Sequence, residues 1–371
     1  MADAQGLGPC GVKPVGVQLS PSTPKNMFKK INATRIIIYF SVLFFIFTSI
    51  YFSVIANKIA SQSQENLTTY YIDLAYGSIK KAALWSAVFI LLALMIHLVS
   101  FLIILLRNQK TQKSILVYHT FRKILSKFLA ESKTALKFAL PTLLSLFLLI
   151  LTLGRTNFLN KTRLKDDFVA EWDFFLTGNY PFLSLSNIHY PKWLIYLVEF
   201  SFSYLIFFLI IFSFYIFYKN VRVFKELAVA FSLGLILMFI SWLVVPVLSP
   251  HDRYIDNVYD LPVPTKISQA LTEYAPQEEI TSFLEKARAR KENLKTFPTS
   301  TFPSAHVFWA VLFGYYLYRT NKKVAMTFAP ILGLSSFGTF FFAQHYFVDA
   351  PAGIFFAAIT IVLVHCLLRR A

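Results

Sequence analysis

FPSAH at 302–306 and QHYFVDAPAG at 344–353 each open an apolar run with a cluster of ionisable and hydrogen-bonding side chains. The runs that follow are HVFWAVLFGYYLY at 306–318 and IFFAAITIVLVH at 354–365, and VAMTFAPILGLSSFGTFFF at 324–342 lies between them. Runs approaching about 20 apolar residues are long enough to cross the hydrocarbon of a bilayer as helices. The stretch therefore reads as three consecutive membrane helices joined by one tight turn at 319–323. Because the first enters from one side, the second returns and the third starts there, both clusters should lie at one depth near one membrane face.

Working outward, five more spans are legible, at about 35–56, 82–106, 137–154, 193–218 and 226–247, beside 304–320, 324–343 and 346–368. The expected fold is an all-α integral membrane protein of about eight transmembrane helices. Composition agrees: 56% of the 371 residues are hydrophobic and only 15% charged, with 40 Phe and 19 Tyr, which leaves too little polar sequence to cover a soluble domain. The two cysteines, Cys10 and Cys366, stand at opposite ends and form neither a disulfide framework nor a metal set. Residues 1–34, rich in Gly and Pro, read as a disordered tail. Residues 35–136 read as two extra helices with a basic loop, and 137–371 as a six-helix catalytic domain.

A net charge of +17 would suggest nucleic acid in a soluble protein, but its distribution argues for topology. The segments on the side of the termini hold 21 of the 36 Lys and Arg against Asp3, Glu131 and Glu226, so that face is about +18 and the other near neutral. The termini and the basic 107–137 loop should be cytoplasmic, and both polar clusters should face the outer, periplasmic or luminal side. The basic loop also has the charge to bind anionic headgroups. Segment 155–192, with Asp166, Asp167, Trp172 and Asp173, reads as a lid over the membrane surface. Segment 265–295 holds one helical stretch from Ile280 to Leu294.

The chemistry converges on His306, His345 and Asp349. His345 and Asp349 are four residues apart, where a carboxylate on the same helix face can fix the imidazole tautomer and stabilise its cation. A second histidine at the same depth can act as general acid. Taken alone, the set fits group transfer at a lipid headgroup, polar capping of helix ends, or a proton relay in a transporter.

FPSAH and QHYFVDAPAG, about forty residues apart, resemble the second and third signature motifs of the type 2 phosphatidic acid phosphatase (PAP2) superfamily. The HYFVD string and Trp309 are especially similar to its inositolphosphotransferase, aureobasidin-resistance branch. The resemblance implies that His345 attacks phosphorus and becomes phosphohistidine, that Asp349 orients it, that His306 protonates the leaving oxygen, and that Ser304 contacts phosphoryl oxygens. It implies a membrane phosphotransferase acting on lipid phosphates or phosphorylated headgroups, with a water-using lipid phosphatase or a degenerate transporter or scaffold as alternatives. No cofactor and no metal are implied, and no Asp/Glu cluster or His set with ligand spacing is legible. The phosphatase pattern has an Arg where this chain has Thr339, and its first motif is missing. Arg253 and, behind it, His251 are candidates for the missing cation, and Glu199 is a buried charge that could pair with Arg253 or a substrate hydroxyl.

Overall fold

In the computed structural model, residues 24–60, 114–160, 163–293 and 301–370 are described, with scattered positions between 80 and 103. Among them all regular structure is helical. Twelve helices are numbered here: α1 Pro24–Ala60, α2 Ser114–Asn160, α3 Asp166–Thr177, α4 Pro181–Ser184, α5 Lys192–Ser203, α6 Leu205–Lys219, α7 Val221–Val244, α8 Thr265–Thr272, α9 Glu278–Asn293, α10 Ala305–Thr320, α11 Lys322–Phe341 and α12 Asp349–Arg370. A π-helical turn, His251–Ile255, follows α7. Residues 1–23 and most of the expected 82–106 span lie outside the described residues. Residues 24–34, assigned to the tail by composition, belong to α1.

Among the described residues the count of eight spans is matched in part. Four described stretches are long and apolar enough to cross a membrane: Thr34–Phe52, Val221–Val244, Lys322–Phe341 and Asp349–Leu368. A fifth is the pair α5 and α6, bent by 58° at Tyr204. The expected 304–320 span falls on α10, which has 16 residues and rises only about 24 Å. The 137–154 span lies within the 47-residue α2.

Helix α7 is the hub. It touches α1, α2, α6, α10 and α12, and two-thirds of its span is buried against 22% for the α1 and α12 spans. Lipid tails are as apolar as the helices, so packing and interhelical hydrogen bonds must supply the association. Phe44, Phe45 and Phe52 of α1 set their rings edge-on against Phe239 of α7, at 5.7 to 6.3 Å. Ser41 and Ser145 share a hydrogen bond of 2.8 Å between α1 and α2, and Thr142 and Ser232 one of 3.4 Å between α2 and α7.

Asparagines start the two helices that follow one-residue turns. Asn220 Oδ1 accepts from Val223 N of α7, and Asn321 Oδ1 accepts from Lys323 N and Val324 N of α11. Two glycines then bring helices close at the functional end. A Cβ on Gly234 of α7 would sit 2.1 Å from Phe308 Cζ of α10, and one on Gly353 of α12 2.7 Å from the Ser304 carbonyl oxygen. Over that end lies a cap built from α3, α4, the π-turn and α8. Its core includes Val169, Phe182, Val247, Tyr254, Ile267 and Tyr346.

Gly234→Ala should therefore force Phe308 aside and destabilise the bundle by about 1–3 kcal/mol, the usual range for overpacking. Gly333→Ala on α11 meets open space and should be neutral. Thermal unfolding of the two detergent-purified variants checks the difference.

Candidate active site

Both motifs meet under the cap. Ser304 is the N-cap of α10 and its Oγ accepts from Val307 N at 3.4 Å, while its own N–H donates to Asp349 O at 3.0 Å. That backbone bond joins FPSAH directly to HYFVD, and Gly353 permits the approach. Thr301, just upstream, ties the same loop to the α7 exit through its N–H to Val247 O (2.9 Å) and its Oγ1 to Leu248 O (2.9 Å).

His345 does not lie on a helix as its spacing from Asp349 suggested. Helix α11 ends at Phe341 and α12 begins at Asp349, so the pair forms across the intervening turn. Ala343 adopts a positive φ of 51°, and the N–H groups of Gln344 and His345 both reach back to Thr339 O at 2.9 Å. Thr339, standing where the phosphatase pattern has Arg, is thus fully buried and anchors the turn by its carbonyl. His345 Nδ1 donates to Asp349 Oδ2 at 3.0 Å, and the same oxygen accepts from Tyr346 N at 3.1 Å. With Asp349 ionised and accepting, the proton sits on Nδ1 and Nε2 carries the lone pair. Nε2 faces Ser304 Oγ at 3.4 Å.

His306, one residue into α10, has its ring centroid 6.1 Å from that of His345. Phe202 of α5 stacks on it at 4.5 Å with 12° between planes, and Trp309 lies 6.0 Å away. Helix α5, which packs mainly on α11, delivers Phe202 from two residues before the bend at Tyr204. Nothing in the sequence marks Phe202 among so many phenylalanines.

The remaining candidates sit elsewhere. The Arg253 guanidinium is buried and given to Asp167 Oδ1 (3.2 Å), Pro262 O (2.8 Å) and Leu261 O (3.4 Å), and it lies over the Tyr254 ring. Glu199 faces Lys286 Nζ at 3.8 Å instead of Arg253. His251 donates its backbone N–H to Ala343 O at 2.9 Å, so it braces the His345 turn from behind. Its Nδ1 faces Asp256 Oδ2 at 3.4 Å and Asp252 Oδ1 at 3.8 Å. These three residues offer donor atoms within 4.8 Å of one another, a cluster the linear spacing did not reveal because the π-turn folds it. Arg288 Nη1 lies 3.6 Å from Asp256 Oδ1 and already supplies positive charge there.

Two carboxylates with no assigned role in the sequence reading hold the α7 exit and the His345 turn. Asp166 Oδ1 accepts from Leu248 N (2.8 Å) and Tyr346 Oη (3.1 Å), and Asp173 accepts from Phe347 N and Val348 N, both at 2.9 Å. Their seven-residue separation with Val169 and Ala170 between puts all four on one buried face of α3. That spacing was visible in the sequence, but its partners were not. Burial pushes both carboxyls up to about 7, against the lowering effect of those hydrogen bonds.

An all-helical membrane bundle whose capped end pairs a carboxylate-held histidine with a second histidine and a helix N-terminus is the class that this fold and site define. Residues 169–363 match the PAP2 superfamily, and the chain belongs to that superfamily. No curated protein and no solved structure matches it. Members of this superfamily are generally phosphatases, and membership points to phosphatase or phosphotransferase activity on lipid phosphates.

The raised carboxyls carry a signed pH dependence. Between about pH 4 and 7 the folded protein keeps protons on Asp166 and Asp173 that the unfolded chain has released, so their contribution to stability falls as pH rises and levels off above 7. The thermal midpoint should drop across that window, and the Asp166→Asn/Asp173→Asn double variant should show a shallower drop.

Proposed function

We propose that the protein is a membrane phosphotransferase that moves phosphate or a phosphorylated headgroup from one lipid to another, with His345 as nucleophile. The observation that carries this reading is the 3.0 Å bond from His345 Nδ1 to Asp349, which leaves the Nε2 lone pair directed at Ser304 and the start of α10. In the first step Nε2 attacks phosphorus. The P–N bond forms as the bond to the leaving oxygen breaks, and His306 gives that oxygen a proton. Asp349 stabilises the imidazolium. In the second step an acceptor hydroxyl returns its proton to His306 and takes the phosphoryl group from His345.

Charge on the equatorial oxygens needs positive partners. Ser304 Oγ and the first free N–H groups of α10 supply them, since a helix N-terminus is an anion site. Arg253 would have to leave Asp167 and two carbonyls to take part, so the transfer step does not call on it. No step draws on a metal, because Nε2 is a nucleophile without one, and activity should survive chelation by EDTA. With the termini on the basic face, transfer would occur at the opposite leaflet, where substrate must already be displayed.

His345→Ala should abolish turnover with the thermal midpoint retained, and His306→Ala should lose on the order of a hundredfold. Incubation with labelled phosphatidate or phosphatidylinositol and an acceptor lipid should move label to the second lipid. Label released only as free phosphate would make the protein a hydrolase using the same intermediate, and near-normal activity of His345→Ala would refute the assignment. Topology is checked in a background free of Cys10 and Cys366. Cysteine at exposed Gln269 should react with an impermeant thiol reagent in intact cells, and cysteine at Gln112 only after permeabilisation.

A further inference from the structure

Helix α3 has two unlike faces. Asp166, Val169, Ala170 and Asp173 fall within an arc of about 100° and are buried. Phe168, Trp172, Phe175 and Leu176 fall within a second arc of about 100° and are exposed, Phe175 at 84%. The Phe168 and Trp172 rings pack 5.0 Å apart, so the exposed face is a preformed aromatic surface.

The backbone fixes the depth of this face. Lys165 N donates to Pro246 O, two residues past the end of α7, and Asp173 accepts from Phe347 and Val348, immediately before α12 begins. Both α7 and α12 are long enough to cross a membrane, so α3 is tethered at the level where those spans leave it. Trp193, 66% exposed at the start of α5, is a further exposed tryptophan at the mouth of another span. Trp and other aromatic side chains are favoured at that level, where an amphipathic helix lies in the headgroup boundary with its apolar face down.

We propose that α3 is a bilayer-seated positioning helix: its Phe168, Trp172, Phe175 and Leu176 face rests in the headgroup boundary of the leaflet on the active-site side, and its Asp166 and Asp173 face holds the α7 exit and the His345 turn in register. The occupant of the exposed face is the lipid surface itself. The inference rests on the phosphotransfer reading for its consequence, because displacement of α3 would loosen Leu248, Tyr346, Phe347 and Val348 together, and with them the turn that aims His345. It does not rest on that reading for its location.

Two measurements test it. In vesicles of phosphatidylcholine containing brominated lipid, the fluorescence lost on replacing Trp172 by Phe should be quenched, more strongly by bromines near the headgroup than by bromines near the chain ends. A Trp172 signal indifferent to bromine would overturn the seat, whatever the enzyme does. In the same vesicles Phe175→Ser and the Phe168→Ser/Phe175→Ser pair should lower kcat about tenfold on both long-chain phosphatidate and a water-soluble short-chain analogue, with KM unchanged. Asp173→Asn should reproduce the kcat loss, and thermal midpoints identify any variant that is merely unfolded. Loss confined to KM for the long-chain substrate would make the face a lipid-capture surface and overturn the coupling to the loops. Wild-type protein inactive on both substrates would remove the functional reading, while the quenching result would still decide where α3 lies.

Discussion

The hydrogen bond between His345 and Asp349 is the constraint around which the functional end is built. Asp349 is the first residue of α12, so a membrane span fixes its position, and His345 lies in a turn with no helical geometry of its own. The turn is therefore held from several sides: Thr339 O from α11, Ala343 through the His251 backbone, Ser304 through the Asp349 carbonyl, and Asp173 through Phe347 and Val348. Each contact uses backbone groups that would otherwise be unsatisfied at the membrane boundary, where an unpaired N–H or C=O is costly.

This dependence explains why the bundle packs as it does. Gly353 lets α12 come close enough for the Ser304–Asp349 backbone bond, and Gly234 lets α10 settle on α7, which carries the Leu248 loop at its exit. Phe202, which reaches His306, stands two residues before the bend between α5 and α6. Helices that look interchangeable by composition thus have separate tasks. Far from the site, Tyr315 and Arg319 of α10 meet His365 of α12, with Arg319 also paired to Glu226. That histidine belongs to the opposite end of the bundle and to its packing.

Much of this was legible in the sequence because polar residues inside apolar runs are costly and stand out. His306, His345 and Asp349 stand out that way, Ser304 enters through the family resemblance, and the structure brings the four side chains near one another. The local geometry was not legible, since the four-residue spacing suggested a helix where a turn preceding a helix does the work. Long-range partners were also hidden. Asp166 and Asp173 were visible as lid residues, but nothing in their neighbourhood names Leu248 or Val348, about 80 and 175 residues away. Arg253 was chosen by nearness in sequence and Glu199 as a charge inside an apolar span, and they pair with Asp167 and Lys286 once the chain is folded. Eight spans were counted on apolar runs; the described residues supply four, or five with the pair bent at Tyr204, and most of 82–106 lies outside them.

The most direct test is to trap the covalent intermediate. Protein in vesicles is mixed with phosphatidate labelled in its phosphate, quenched in base to preserve a phosphoramidate, and digested for mass spectrometry. A peptide spanning residues 344–353 that carries one phosphoryl group on His345, base-stable and acid-labile, and that is missing from His345→Ala, is the expected result. Phosphate found on a serine or a carboxylate instead, or turnover without any labelled enzyme, would contradict the assignment of His345 as nucleophile.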